Sequence, residues 1–197
     1  MGQSAAHFAR EAVPLAPARA SVLLPQGPFA FEVRRESGPP RQGNGWYVWT
    51  GDSDDFRRTL ERVEAWLLGV IDAEVASAGL DPRRVALVGF SQGGYLAGFV
   101  GVRHAARVRG LVVAAGRVKD EFLADAAPAA AAAGLRVLDV HGERDEAVRP
   151  EPCRASLERL AAHGVATEFR TYDAGHAVLR DPRCRDDVRA FLADRLR

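Results

Sequence analysis

Six residues constrain this chain more than any others: Gly89-Phe90-Ser91-Gln92-Gly93-Gly94, directly after the apolar run Val85-Ala86-Leu87-Val88. A short apolar run closed by glycine reads as a buried strand. The small residues from 93 to about 106 read as a helix. Ser91 therefore sits on a sharp strand-to-helix turn, the nucleophile-elbow pattern G-x-S-x-G. The logic is steric: flanking residues without side chains let the chain turn closely enough to lift the hydroxyl clear of the sheet. The turn also sets a helix N-terminus, with its free N–H groups, beneath any oxyanion formed at that serine. Chance occurrence in a chain with 19 glycines is the competing explanation. The flanking strand and helix argue against it.

A serine hydroxyl needs a base, and the chain has His7, His104, His141, His163 and His176. His163 lies near a helix end, and His104 on the helix after the turn is expected at the surface. His7 precedes everything, contrary to the order serine, acid, histidine. His176, in Tyr172-Asp173-Ala174-Gly175-His176, follows a predicted strand in a loop, where functional residues concentrate. It is the expected base. The acid belongs between the two, after a strand, where His141-Gly142-Glu143-Arg144-Asp145 stands. Asp145 is expected to hold the imidazole in its useful tautomer, with Asp139, Glu143 and Asp173 as competitors. His141, at a strand end beside glycine, reads as an anchor for its loop by hydrogen bonding.

Elsewhere the chain alternates strand and helix. A helix is expected over residues 3–16, ended or bent by Pro14, then a strand at Ser21–Leu24. Residues 25–51 read as loop, with five prolines or glycines in 38–45. A long helix follows, capped by Asp52 or Ser53 and built on Phe56, Leu60, Val63, Leu67, Val70 and Ile71, the spacing of one helical face. Further strands are expected at 111–114, 135–140 and 165–172, and helices at 151–163 and 185–196. Strands apolar throughout that alternate with helices indicate a mainly parallel sheet covered on both faces. The class is α/β, one domain over residues 1–197.

Lys and Arg total 27 against 26 Asp and Glu, a net charge of +1, which gives no general pull toward nucleic acid or anionic lipid. No apolar run approaches the ~20 residues of a membrane span, and the first residues lack a secretory pattern. Cys153 and Cys184 are too few for a disulfide framework. They read as free thiols of a cytoplasmic protein.

Taken together, Gly-Phe-Ser91-Gln-Gly-Gly, His141-Gly-Glu-Arg-Asp145 with Val148 and Pro150, and Ala174-Gly-His176 resemble the phospholipase/carboxylesterase family of α/β-hydrolases, which includes acyl-protein thioesterases. Leu24-Pro-Gln-Gly27, Gly45-Trp46-Tyr47, Asp81-Pro-Arg-Arg-Val85 and Ala115-Gly-Arg117 fall where that family places comparable strings. The resemblance implies a triad of Ser91, Asp145 and His176. It implies hydrolysis of a small-molecule carboxylic, thio- or lysophospholipid ester, without metal or cofactor. Gln92 matches the residue whose backbone N–H forms half of the oxyanion hole.

The chain also departs from the family. The other half of that hole comes from a loop after an apolar strand ending in His-Gly, and no such strand is present here. Met1 or Gly2 stands where the second donor is expected. The expectation is an N-terminally truncated α/β-hydrolase, with Met1 internal to a longer reading frame and a strand missing between 21–24 and 85–88. That gap would separate its neighbours by about 9–10 Å and leave their ladders unpaired. Trp46, Tyr47 and Trp49 are the expected walls of a shallow substrate pocket, with 47 and 49 on opposite faces. Two rivals stand beside the esterase. One is a pseudo-hydrolase kept as a binding module. The other is a dienelactone-hydrolase-like enzyme, which would want cysteine where Ser91 stands.

Overall fold

The computed structural model describes residues 4–34 and 38–197. Among these residues the central sheet has four strands, β3 (Val85–Phe90), β4 (Val108–Ala114), β5 (Arg136–Gly142) and β6 (Ala166–Tyr172), in the order β3-β4-β5-β6. All three pairings are parallel. Helices α2 (Ser53–Ser77), α3 (Gln92–Arg103), α4 (Ala127–Ala132) and α5 (Pro150–Ala162) contribute to the core on one face. Helix α6 (Pro182–Arg195) covers the other, joined there by Phe8 of α1 (Ala5–Ala12) and by Leu15.

Strand periodicity sorts the core. On β4, Leu111 and Val113 face the α2–α3 side, while Val112 and Ala114 face α6, because successive side chains alternate across a sheet. On β5 the same rule sends Val137 to the first core and Leu138 and Val140 to the second. Asp139 and His141 share the parity of Val137 and are fully buried.

The long helix α2 begins where its cap is expected, with Asp52 Oδ1 accepting from the Asp55 N–H at 2.7 Å. It buries Phe56, Leu60, Val63, Leu67 and Ile71. Its Glu64 is also buried and accepts from Arg103 Nε at 2.9 Å, with His104 Nε2 at 3.0 Å. His104 is therefore half-buried at a helix–helix joint, not a free surface residue as expected. The neighbouring Arg103 needed a partner, and the pair shares one carboxylate.

Three sequence expectations change at the N-terminal side. The first helix stops at Ala12, and a single 3-10 turn, Val13–Leu15, takes the chain through Pro14. Ser21–Leu24 forms no strand ladder. Within the segment read as loop lies a hairpin instead, β1 (Phe29–Val33) antiparallel to β2 (Arg41–Gly45), with Phe29 opposite Gly45. The alternation Phe29-Ala-Phe31-Glu-Val33 was its signal. The density of glycine and proline in 38–45 obscured it, since both are depleted in strands.

Between residues 19–27 and the outer edge of β3 lies a cavity of about 730 Å³, lined among others by Phe8, Leu23, Leu24, Leu87, Phe90 and Leu96. It occupies the place where an intervening strand is expected. Strand β3 is correspondingly the sheet's edge among the described residues, and Val85–Val88 are only half-buried.

Helix α3 lies unusually close to the sheet because glycine lines its inner side. A Cβ added at Gly94 would come within 3.1 Å of Gly116 Cα, and one at Gly98 within 3.2 Å of Val118. Overpacking such a contact costs about 1–3 kcal/mol or more. Gly94→Val should lower stability by at least that amount, read as a fall in the urea midpoint with an unchanged slope.

Candidate functional site

Ser91 closes β3 and caps α3, with φ 52° and ψ −117°. Such a backbone is costly for a residue with a side chain, by about 1–3 kcal/mol. It is held by hydrogen bonds on both sides: the Ser91 N–H donates to Ala114 O at 2.8 Å, and its carbonyl accepts from the Gly94 N–H at 2.8 Å. The turn excludes side chains at Gly89, where a Cβ would meet Gly93 O at 2.2 Å, and at Gly116, where one would meet Ser91 O at 2.9 Å. The result is an Oγ standing at the C-terminal end of the sheet, over the first turn of α3.

Asp145 and His176 come from the loops after β5 and β6, and main-chain bonds fasten those loops together. The Glu143 N–H donates to Tyr172 O at 2.9 Å, and the Arg144 N–H to Ala174 O at 2.9 Å. Gly142 permits this approach, since a Cβ there would lie 2.2 Å from Gly175 O. The Asp145 carboxylate is buried. Its Oδ1 accepts the N–H groups of Ala147 and Val148, both at 2.9 Å. Oδ2 lies 2.8 Å from His176 Nδ1. A carboxylate only accepts, so Nδ1 carries the proton and Nε2 is left as an acceptor. Nε2 stands 3.0 Å from Ser91 Oγ. The His176 ring also packs against Phe90, with centroids 5.1 Å apart. Serine, imidazole and carboxylate thus form one hydrogen-bonded chain, arranged for the base to draw the hydroxyl proton and the acid to steady the resulting cation.

The competing acids and bases sit elsewhere. Asp173 pairs with Arg144, and Glu143 accepts from Thr171 Oγ1 at 3.2 Å. His7 lies on α1 beside Arg10, and His163 caps α5. His141 anchors its loop, its Nε2 donating to Val148 O at 2.9 Å. Asp139 bonds to His141 and not to His176.

Gln92 heads α3, where a helix leaves its first N–H groups without intrahelical acceptors. Met1 and Gly2 lie outside the described residues. The Gln92 side chain has a role that no local sequence pattern signals. Its Oε1 accepts the Trp46 N–H at 2.7 Å, and its Nε2 donates to Tyr47 O at 2.7 Å. It thereby clamps the aromatic segment over the helix start. Trp46 lines the large cavity next to Gly93. Tyr47 and Trp49 both pack on Phe56, with centroids 4.5 and 5.5 Å away. They share a side, not opposite faces, because positions two apart in an extended segment point the same way. Trp49 remains 56% exposed. Ser91, Asp145 and His176 do not line the large cavity. Among the described residues no cluster of His, Cys, Asp or Glu is arranged to hold a metal ion.

The family profile of Phospholipase/Carboxylesterase matches residues 44–193, which include the serine turn, both loops and the Gln92 clamp. The chain belongs to this family. It is an enzyme of the serine-hydrolase type, built on the α/β-hydrolase fold. Acyl-protein thioesterase 1 of Gibberella zeae is 29% identical over 163 residues, 77% of this chain and 68% of that protein. A probable inactive carboxylesterase of Oryza sativa is 30% identical over 128 residues, and the match spans half of that relative's length. Among solved structures, Arabidopsis thaliana SOBER1 superimposes with TM-score 0.73 at 24% identity, covering 100% of this chain and 95% of that one. A Mesorhizobium loti carboxylesterase gives TM-score 0.71 at 19% identity, covering 98% and 84%. At these identities the structural likeness speaks for the fold. No helix among the described residues is long and apolar enough to cross a membrane.

The loop-to-loop contact at Gly142 makes a test of the site's assembly. Gly142→Ala should force the His176 loop outward, and the imidazole with it. We expect the His176 N–H resonance bonded to Asp145 to be lost or moved in the NMR spectrum while far-ultraviolet circular dichroism stays the same.

Proposed function

We propose that this chain is a serine carboxylesterase that hydrolyses small carboxylic esters through an acyl-enzyme on Ser91. The observation that carries the proposal is the continuous chain of bonds, Ser91 Oγ to His176 Nε2 at 3.0 Å and His176 Nδ1 to Asp145 Oδ2 at 2.8 Å. In this reading Ser91 Oγ attacks the ester carbonyl carbon while its proton passes to His176 Nε2. Asp145, buried and already satisfied on Oδ1 by two amides, keeps its remaining capacity for the imidazolium. The carbonyl oxygen, now negative, accepts from the Gln92 N–H at the helix start. The alcohol leaves with the proton from His176, and a water then repeats the sequence on the acyl-enzyme. Neither step calls on a metal or an organic cofactor.

The surroundings of Ser91 support a small substrate. Among the described residues the triad is not part of the lining of the large cavity, which supports short, soluble esters over long acyl chains. Thioesters fit the same chemistry, and the Gibberella zeae relative is named for it. Two buried, unpaired cysteines, Cys153 and Cys184, suit a reducing compartment such as the cytoplasm. The edge of β3 beside the turn, unpaired among the described residues, favours a second reading, a binding module in which catalysis is impaired.

Hydrolysis of p-nitrophenyl acetate separates the two. The wild-type chain should turn the ester over with an initial burst, and Ser91→Ala should abolish the burst. Asp145→Asn should lower kcat by about 10⁴, because the wrong imidazole tautomer would face the serine. Equal background rates for folded wild type and Ser91→Ala would leave the binding module as the better account.

A further inference from the structure

Directly behind the triad lies a second aspartate–histidine pair, which the ester reaction does not use. Asp139 and His141 project from β5 to the same face, and both are fully buried. His141 Nε2 faces two acceptors, Val148 O at 2.9 Å and Asp145 Oδ2 at 3.6 Å. It therefore carries a proton. The other ring nitrogen, Nδ1, lies 3.2 Å from Asp139 Oδ1. Among the described residues, Asp139 Oδ2 has no hydrogen-bond partner. A buried carboxyl left half-satisfied is a poor stabilising device, since an apolar side chain of similar size often serves a core better. An orphaned buried polar atom calls for a different explanation.

We propose that Asp139 and His141 form a buried ion pair whose cation, held against Asp145, tempers that carboxylate and thereby sets how readily His176 accepts a proton. The pair is a positioning pair: it touches neither substrate nor the serine. The inference rests on the reading of Asp145 and His176 as acid and base. One proton lies between Asp139 Oδ1 and His141 Nδ1, and the pair is neutral overall wherever that proton sits. Only when it sits on His141 does a positive charge stand beside Asp145. His141 also bonds the carbonyl of Val148, whose own N–H is bound by Asp145. The same imidazole therefore fixes the turn on which the acid is mounted.

The surroundings favour the charged form. Burial pushes Asp139 up to about 6, with His141 pulling it back down. Burial opposes the charge on His141, but Asp139, the Val148 carbonyl and Asp145 outweigh it, and the imidazole is held above its usual value. The other groups facing this pocket do not compete for the proton. From α5, the Cys153 thiol is pushed up to about 12 by burial and by Asp139. From α3, burial also raises the Tyr95 phenol. Phe169 of β6 stacks on the His141 ring at 6.0 Å, with the Arg154 guanidinium 4.5 Å from the Phe169 ring centroid. Arg117, after β4, is bound to Ser156 Oγ at 2.7 Å and paired with Glu121.

The test is titration of the His176 ring by NMR in the full chain, wild type against Asp139→Asn. Removing the counter-charge should neutralise His141 and leave Asp145 facing His176 at full strength. The His176 midpoint should then rise by about half a pH unit or more. A midpoint within about 0.2 units of wild type, in a folded variant, overturns the proposal, since by the same reasoning a lost neighbouring charge shifts a titration by more than this. A merely structural role would lower the melting temperature without moving the midpoint. Should Asp139→Asn not fold, nitrogen chemical shifts of His141 in the wild type decide. Protons on both ring nitrogens at neutral pH support the ion pair, and a bare Nδ1 overturns it. Neither readout needs turnover, so failure of the esterase reading would appear separately, as equal rates for wild type and Ser91→Ala.

Discussion

The structure depends on how closely the start of α3 approaches the C-terminal ends of β3 and β4. At that contact Gly89, Gly93, Gly94 and Gly116 meet backbone to backbone, with no space for a Cβ at Gly89. The unfavourable φ of Ser91 is offset there by two main-chain hydrogen bonds, one to Ala114 across the sheet and one from Gly94 within the turn. Relaxing the contact would let Ser91 return to an ordinary backbone angle, and its hydroxyl would sink toward the sheet. Stored strain of this kind persists only where the surroundings over-determine it.

A second close approach, between the loops after β5 and β6, serves the other two members of the chain of bonds. Strands β5 and β6 pair in parallel from Arg136–Ala166 to Gly142–Tyr172, so their loops emerge side by side. Gly142 lets the two loops touch, and bonds from Glu143 and Arg144 lock them. Asp145 is then oriented by the amides of its own turn and by His141 beneath. The imidazole of His176, about one-third exposed, is supported by Phe90 on one side and the carboxylate on the other. The site is thus assembled from two rigid junctions that share only the sheet.

The sequence made much of this legible. The serine turn was readable because its glycines serve a local steric need, and the strand and helix around it have unmistakable patterns. Asp145 and His176 were legible through chain order and their places after strands. The hairpin Phe29–Gly45 was not, because its second strand is written in residues that ordinarily break strands. Its stability comes from cross-strand partners and from Phe29 packing on the core. Ser21–Leu24 failed in the opposite sense. Its apolar run suits a strand, but a strand needs a neighbour for its ladder, and a cavity lies where that neighbour would be.

Local chemistry in the sequence determined the central strands and most of the helices, the α/β class and the serine turn at Ser91, and it put Asp145 and His176 forward by their places after strands. Periodicity and turn preferences act over a few residues and leave their mark there. The tertiary structure alone decided which carboxylate faces which histidine. Asp139 and Asp145 stand six positions apart around the same glycine, yet strand parity turns Asp139 inward to His141, while the turn after β5 carries Asp145 across to His176. The clamp of Gln92 on Trp46 and Tyr47 was likewise decided only by folding, since its partners lie 46 and 45 residues away. Contacts of that span depend on how helices and strands pack together. No short-range pattern encodes them.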